Sequence, residues 1–249
     1  MKQASSIDRD FFNQYTEGYS IYHNSDLDLI LLKLLKALQG RRIRWACEIG
    51  CADGQFSKEL QRHMPQKASF IGLDIADHVL KKYPFHQVCG NVFQCPCLSE
   101  SIELVLCPAS FHHLEPFEQA LAEISRILSP NGLIYFLEPN FFHPQRRFFM
   151  TQKWLYHHYR RANDVPVNPE DLKWHLSKHK IKILSFQYIN LRFRNPGILQ
   201  KIQTAAAGLP WPPSLIRYIM PWFIMIGIKM DATTAIQPVE LDRPHEETV

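Results

Sequence analysis

The chain has 249 residues, of which 46% are hydrophobic and 21% charged, and its formal net charge is +4. Those values suit one large globular domain with a real core and exclude a low-complexity or polyelectrolyte chain. Neither "MKQASSIDRDFFNQY" at the start nor the apolar run Trp222–Ile228 is long enough for a signal core or a membrane span, so the expected location is the cytoplasm.

The charge is unevenly placed. Residues 1–138 carry 13 Lys/Arg and 16 Asp/Glu, residues 139–230 carry 14 and 3, and residues 231–249 carry 1 and 5. A net +11 in the second part points to an anionic partner.

In chain order, Phe11, Phe12, Tyr15 and Tyr19 are spaced for one face of a short helix. "SDLDLILLKLLKALQG" predicts a helix capped by Ser25 or Asp26 and ended by Gly40. Alternation follows. "RIRWACEIG" reads as a strand, 54–63 as a helix, "ASFIGLDI" as a strand, 77–82 as a short helix and "HQVCGN" as a strand. "SIELVLC" is a further strand, Pro116–Leu128 a helix, and "GLIYFLEP" a fifth strand. Strands alternating with helices imply βαβ units, a mostly parallel sheet and helices on both faces.

After Pro139 the rhythm breaks into the aromatic and basic run "FFHPQRRFFMTQKWLYHHYRRANDVPV". A helix returns at "NPEDLKWHLSKH" with Asn168 as cap, then a strand at "IKILSFQYI". Residues 196–221 are helical with a break at Gly208–Pro213, "WFIMIGIKM" closes as a strand, and 231–249 is a polar, acidic tail expected to be disordered. The six cysteines include one close pair, Cys95-Pro96-Cys97, too little for a metal site, so reduced thiols are expected.

The candidate ligand turn is Gly50-Cys51-Ala52-Asp53-Gly54, after the first strand, where doubly wound sheets bind ligands. Its G-x-A-x-G spacing is not the G-x-G-x-x-G of dinucleotide folds, since position 55 is Gln55. Asp74 ends the second strand, where a carboxylate can take two ribose hydroxyls or cap a helix. Asn91 follows the third strand, where its amide can meet a base edge or merely make a turn.

The series "CEIGCADG", "FIGLDIAD", "VCGNVFQCP" and "ESIELVLCPASFHHLEPFEQALAEISRILSPNGLIYFLEPN" resembles the class I S-adenosylmethionine-dependent methyltransferases, in particular their type 11 small-molecule group. The resemblance covers residues 43–140, with Trp222–Met230 similar to the terminal strand. It implies a seven-stranded Rossmann-like sheet and S-adenosylmethionine as cofactor. It further implies that Glu48 orients the methionine amino group through the loop, that Gly50, Cys51, Ala52 and Gly54 contact the methionine part, and that Asp74 holds the ribose. Ile75 would pack on adenine, and Asn91, with Val92 beside it, would reach the adenine amine. Ala52 stands in place of a usual glycine, Asn91 in place of a commoner Asp, and Asn131 in place of the first glycine of a P-G-G turn. On this reading Gly50→Val abolishes cofactor binding and leaves the fold intact.

His112 and His113, just past the fourth strand, are the candidate general bases, with a structural pair as the alternative. Tyr15, Tyr19 and His23 resemble an N-terminal lid, and Glu138 faces substrate or caps the next turn. The run 144–161 suits a substrate cap, an anionic membrane surface or RNA. The expectation is one domain over 1–230, with a lid at 1–40 and caps at 140–168 and 196–221. The acceptor expected is small or lipid-like and anionic, more often methylated on oxygen. DNA is not expected; RNA methylation and a non-catalytic binding subunit are the alternatives.

Overall fold

The computed structural model describes residues 24–151, 167–191 and 198–231, together with residues 9 and 13. The predicted lid residues Tyr15, Tyr19 and His23, the stretch 152–166 with Arg160 and Arg161, and the tail 232–249 lie outside the described residues.

Helix α1 spans Asn24–Leu38, β1 Trp45–Ile49, α2 Gln55–His63, β2 Ser69–Asp74, α3 Asp77–Leu80 and β3 His86–Cys89. Next come β4 Ile102–Pro108, α4 Phe117–Ile127 and β5 Leu128–Pro139. The second part holds α5 Pro144–Thr151, α6 Pro169–Lys178, β6 Ile181–Ile189, α7 Ile198–Ala207, α8 Pro213–Ile219 and β7 Trp222–Lys229. Short 3-10 turns at Val92–Gln94 and Phe111–His113 follow β3 and β4.

The seven strands form one sheet in the order β3-β2-β1-β4-β5-β7-β6. The five strands β1 to β5 are parallel, and β7 enters antiparallel between β5 and β6. Alternate residues of each strand point to opposite faces. Cys47, Ile49, Val105, Cys107, Ile134 and Phe136 pack with Leu121 and Ile124 of α4 and with Leu172 and Leu176 of α6. Ala46, Leu104, Leu106, Leu133 and Tyr135 pack on the other face with Leu31 and Leu34 of α1 and with Phe56 and Leu60 of α2. Each fully buried Leu, Ile or Phe contributes about 1.5–3 kcal/mol by leaving water. Helices on both faces are what the alternating pattern predicts.

Two local details differ from the reading above. The turn expected over Ser129–Gly132 is an interruption inside β5: Leu128 pairs with Ile102, and regular pairing resumes from Leu133 opposite Leu104. Asn131 turns the chain there at φ 61, a left-handed conformation that Asn tolerates. The C-terminus of α4 is closed by a cation from far along the chain, since Lys229 Nζ donates to Ser125 O at 2.9 Å and Leu128 O at 2.8 Å. Asn168 does cap α6, accepting from Glu170 N–H at 3.0 Å.

Candidate functional site

The strand order reverses between β1 and β4, so the crevice of a doubly wound sheet opens beyond their carboxyl ends. The turn after β1 has Gly50 at φ 64, Ala52 at φ 45 and Gly54 at φ 74. A Cβ on Gly50 would lie 2.6 Å from Ser110 Cβ, and one on Gly54 would lie 2.5 Å from the Tyr83 ring. The glycines are therefore required first by the protein's own packing, not by clearance for a ligand. This corrects the expectation for Gly50→Val, which must strain the backbone and push against the turn after β4 as well as affect binding. Ala52 carries its methyl in the left-handed region, at a cost of about 1–2 kcal/mol.

Glu48 is buried, and its carboxylate faces α2 rather than the turn. Ser57 Oγ donates to Glu48 Oε2, and the Tyr83 hydroxyl donates to Ser57 Oγ at 3.2 Å. Burial pushes the Glu48 carboxyl up to about 8, against the opposing bond from Ser57. Glu48 thus braces β1, α2 and Tyr83 beneath the turn.

Asp74 is tied to the same turn. Its Oδ2 accepts from Ala52 N–H at 2.8 Å and its Oδ1 from Ala76 N–H at 2.9 Å, ahead of α3. Half-buried, it has its carboxyl raised by desolvation, with the Ala76 and Ala52 amides pulling the other way. A carboxylate accepts about four hydrogen bonds, so acceptor sites remain. Ile75 is half-buried beside it and Val92 is buried. Asn91 Oδ1 accepts from Phe93 N–H at 3.1 Å, which turns its Nδ2, a donor, into the group left for a ligand. That geometry suits a ring nitrogen better than the amine first expected.

The turn after β4 is organised by a residue of another strand. Glu138 of β5 is fully buried and accepts from Ser110 N–H at 3.1 Å, Phe111 N–H at 2.8 Å and His112 N–H at 3.4 Å. Its second oxygen meets His112 Nδ1 at 2.7 Å. Burial pushes Glu138 up to about 8 against the pull of these amides and of His113. The turn that Glu138 holds is the one after β4, not the next turn along the chain that the sequence suggested. His112 is buried with it, whereas His113, with its ring centroid 4.0 Å from that of His112, is half-buried.

Two buried polar atoms flanking the glycine turn have no hydrogen-bond partner among the described residues: Ser110 Oγ, against Gly50, and Gln55 Oε1, at the start of α2. That helix start has Gly54 as its N-cap and no side-chain cap, so its first N–H groups point outward. Buried polar groups are normally paired, and a polar ligand with an anionic group for the N–H groups and a donor for Gln55 Oε1 would satisfy this set. Neither residue stood out in sequence, because a lone Ser and a lone Gln carry no spacing signal. Asn13 was also missed. Its Nδ2 donates to Asp77 Oδ1 at 3.1 Å and its Oδ1 accepts from His78 N–H at 3.0 Å, which sets Asn13 against the first residues of α3.

Beyond β5 the buried Asn140 joins the segment ahead of α5 to the end of α8. Its Nδ2 donates to Arg217 O at 2.6 Å and Met220 O at 2.7 Å, and its Oδ1 accepts from Phe142 N–H. Arg217 lies over Phe142 at 5.2 Å and Arg147 over Phe141 at 5.2 Å, while Phe148, Ile202, Leu209 and Leu215 are exposed. Among the described residues no helix is long and apolar enough to cross a membrane, and no group of three His, Cys, Asp or Glu can hold a metal.

Residues 47–136 match the family described as a methyltransferase domain. Residues 47–136 thus carry a methyltransferase domain. The match runs from Cys47 within β1 to Phe136 within β5 and takes in the turns after β1 and β4 and Asp74. Among curated relatives of the domain, a malonyl-[acyl-carrier protein] O-methyltransferase of Methylovorus sp. (strain MP688) is 32% identical over 103 residues, covering 36% of this chain and 34% of the relative. The chain spans about a third of the length of the curated relatives it matches. Among solved structures, the geranyl diphosphate C-methyltransferase of Streptomyces coelicolor A3(2) has a TM-score of 0.62 at 10% identity, covering 92% of this chain and 100% of that one. A methyltransferase of Thermotoga maritima has a TM-score of 0.57 at 17% identity, covering 92% and 100%. At these identities the likeness is one of fold, and it extends past the methyltransferase domain to the strands of the second part.

Proposed function

We propose that the chain transfers a methyl group from S-adenosylmethionine to an oxygen of a small or lipid-like anionic acceptor. The observation that carries this reading is the pair of unsatisfied buried atoms, Ser110 Oγ and Gln55 Oε1, beside the uncapped start of α2. They offer partners for the polar methionine end, with Cys51 and Ala52 lending backbone. The free acceptor sites of Asp74 suit ribose hydroxyls, Ile75 and Val92 flank adenine, and Asn91 Nδ2 donates to an adenine ring nitrogen. Bound there, S-adenosylmethionine supplies a methyl group already activated on a sulfonium, so the protein has to align the acceptor and exclude water.

The acceptor class rests on the segments beyond β5 and β6. Arg147 with exposed Phe148 in α5, and Lys201 and Arg217 with exposed Ile202, Leu209 and Leu215 in 198–219, supply the cations and apolar side chains that suit an anionic molecule with an apolar body, or an anionic lipid surface. Relatives named as O-methyltransferases of a malonyl group support oxygen. A carboxylate acceptor needs no proton removed before it attacks. For a hydroxyl acceptor, His113 is the ring a substrate can reach, with His112 and Glu138 holding it in place.

Isothermal titration of the full chain with S-adenosylhomocysteine tests the cofactor assignment. The wild type should bind, Asp74→Ala should weaken binding at least about tenfold, and Ser110→Ala should weaken it severalfold. A folded wild type without affinity, judged by circular dichroism, overturns the assignment.

A further inference from the structure

Helices α7 and α8 leave in water what the rest of the chain buries. No residue from 201 to 220 is buried, although the stretch includes Ile202, Leu209, Trp211, Leu215 and Tyr218. Ile202 is 61% exposed, Leu209 58% and Leu215 42%, whereas β7, which follows at once, is buried from Trp222 to Gly227. The two helices pack chiefly on each other, and α8 has no buried residue. Apolar side chains left exposed on consecutive elements mark a contact surface.

This unit is held in shape. Trp211 Nε1 donates to Ala206 O at 2.7 Å, and Leu209 N–H donates to the same carbonyl at 3.1 Å, which closes the bend onto the end of α7. Pro210, Pro212 and Pro213 stiffen the chain beyond it. Asn140 ties down the far end, since its side chain donates to Arg217 O and Met220 O and its N–H donates to Pro221 O at 2.8 Å. Asn140 follows directly on β5, which lies beside β4. The end of α8 is therefore fixed at the carboxyl edge of the sheet, where the crevice opens.

Its charge has one sign. Residues 172–230 carry nine Lys/Arg and no Asp or Glu, and Lys201 and Arg217 of the unit are both exposed. The Arg217 guanidinium stands over the Tyr218 ring at 4.7 Å and the Phe142 ring at 5.2 Å. Apolar side chains with cations and no carboxylate match a partner that is apolar inside and anionic at its surface. A second copy of the chain would bring two cationic faces together. A nucleic acid would leave Ile202, Leu209 and Leu215 unused, because aliphatic side chains give bases no stacking platform.

We propose that α7, α8 and the bend between them seat the protein on a lipid bilayer with anionic headgroups. Leu209 and Leu215 enter the boundary between headgroups and acyl chains, and Lys201 and Arg217 meet lipid phosphates. A few leucines or two cations alone attach weakly; together they give reversible binding that falls with salt. Docking there brings the carboxyl edge of the sheet to the lipid, so a lipid-like acceptor reaches the crevice without crossing water. That last consequence rests on the function proposed above, whereas the docking itself does not.

The test is flotation of the full chain with vesicles of phosphatidylcholine, alone or with about a third phosphatidylglycerol. The protein should rise with the anionic vesicles, stay behind with the neutral ones, and be released when salt is raised to about 0.5 M. Leu209→Ser combined with Leu215→Ser should cut the bound fraction about tenfold, and Lys201→Gln combined with Arg217→Gln severalfold. Leu98→Ser changes a still more exposed leucine between β3 and β4 and should leave binding unaltered. Circular dichroism checks that each variant is folded. A wild type that fails to float with anionic vesicles overturns the proposal. So does binding that survives the paired leucine changes, or a dimer in sedimentation that those changes dissolve. Titration with S-adenosylhomocysteine separates the two readings: affinity without flotation sinks the docking alone, and flotation without affinity sinks the cofactor assignment alone.

Discussion

The turn after β1 and the turn after β4 face each other across the crevice, and they are built on opposite plans. The first is made by its own residues: Gly50 and Gly54 adopt left-handed backbone, and Glu48 two residues before it is met by Ser57 three residues after it. The second is shaped from outside, by Glu138 accepting three successive N–H groups from a strand that lies 26 to 28 residues further on. Where Gly50 meets Ser110 the two plans interlock. A local turn tolerates change in its surroundings, whereas a turn organised by a remote buried carboxylate fails when that group is removed.

Removing Glu138 should therefore have the largest effect. Glu138→Ala leaves three buried N–H groups and His112 without their acceptor and should cost about 3–5 kcal/mol in urea unfolding. Glu138→Gln keeps the shape and one acceptor and should cost clearly less. Equal losses for the two would show that charge, not acceptor geometry, organises the turn.

Gly50→Val comes next, at about 2–4 kcal/mol, from left-handed backbone and the clash with Ser110. The interlock is sharpened by a double-mutant cycle with Ser110→Gly. That change removes the opposing Cβ and should restore about 1 kcal/mol or more of the loss, leaving the backbone strain. Strict additivity would separate the two turns energetically.

The smallest effect per step is in pH. Glu48 and Glu138 both titrate near 8 in the folded chain, above the ordinary glutamate value of about 4.3. Between those limits the folded state holds protons that the unfolded state has released. Stability contributed by the neutral carboxyls is present in full at low pH and is lost as pH rises through about 8. The expected slope is at most about 1.4 kcal/mol per pH unit for each group. Glu48→Gln should flatten its share, and a stability that rises between pH 6 and pH 8 would contradict the burial of these groups as neutral acids.

The contrast also explains what could be read before the fold was known. Strands β1 to β5 were legible because alternation and short turns are local signals, and the break at Gly208–Pro213 between α7 and α8 was marked by its prolines. Asp74 was legible as a strand-end carboxylate next to a glycine turn. Its bond to Ala52 was not, since that depends on how β2 lies against β1. Ser110, Gln55 and Asn13 escaped for the same reason. Gly50 and Gly54 were found correctly but for an incomplete reason, because the groups that need their missing side chains, Ser110 and Tyr83, are 60 and 29 positions away. That Glu138 holds the turn after β4 depends on β5 lying beside β4, which no local signal reports.

The placement of β7 has a consequence for synthesis. Strands β1 to β5 can pair as they emerge, but the outer edge of β5 is covered by β7, which is made after β6 and then slots between the two. Until Trp222–Lys229 has left the ribosome, β5 presents a row of unpaired amides and carbonyls with Tyr135, Phe136 and Leu137 along it, and β6 has nothing to pair with. The nascent chain therefore spends the interval needed to make about 90 residues, several seconds or more, with an open, apolar sheet edge, a window in which a holding chaperone would matter more than at any later time.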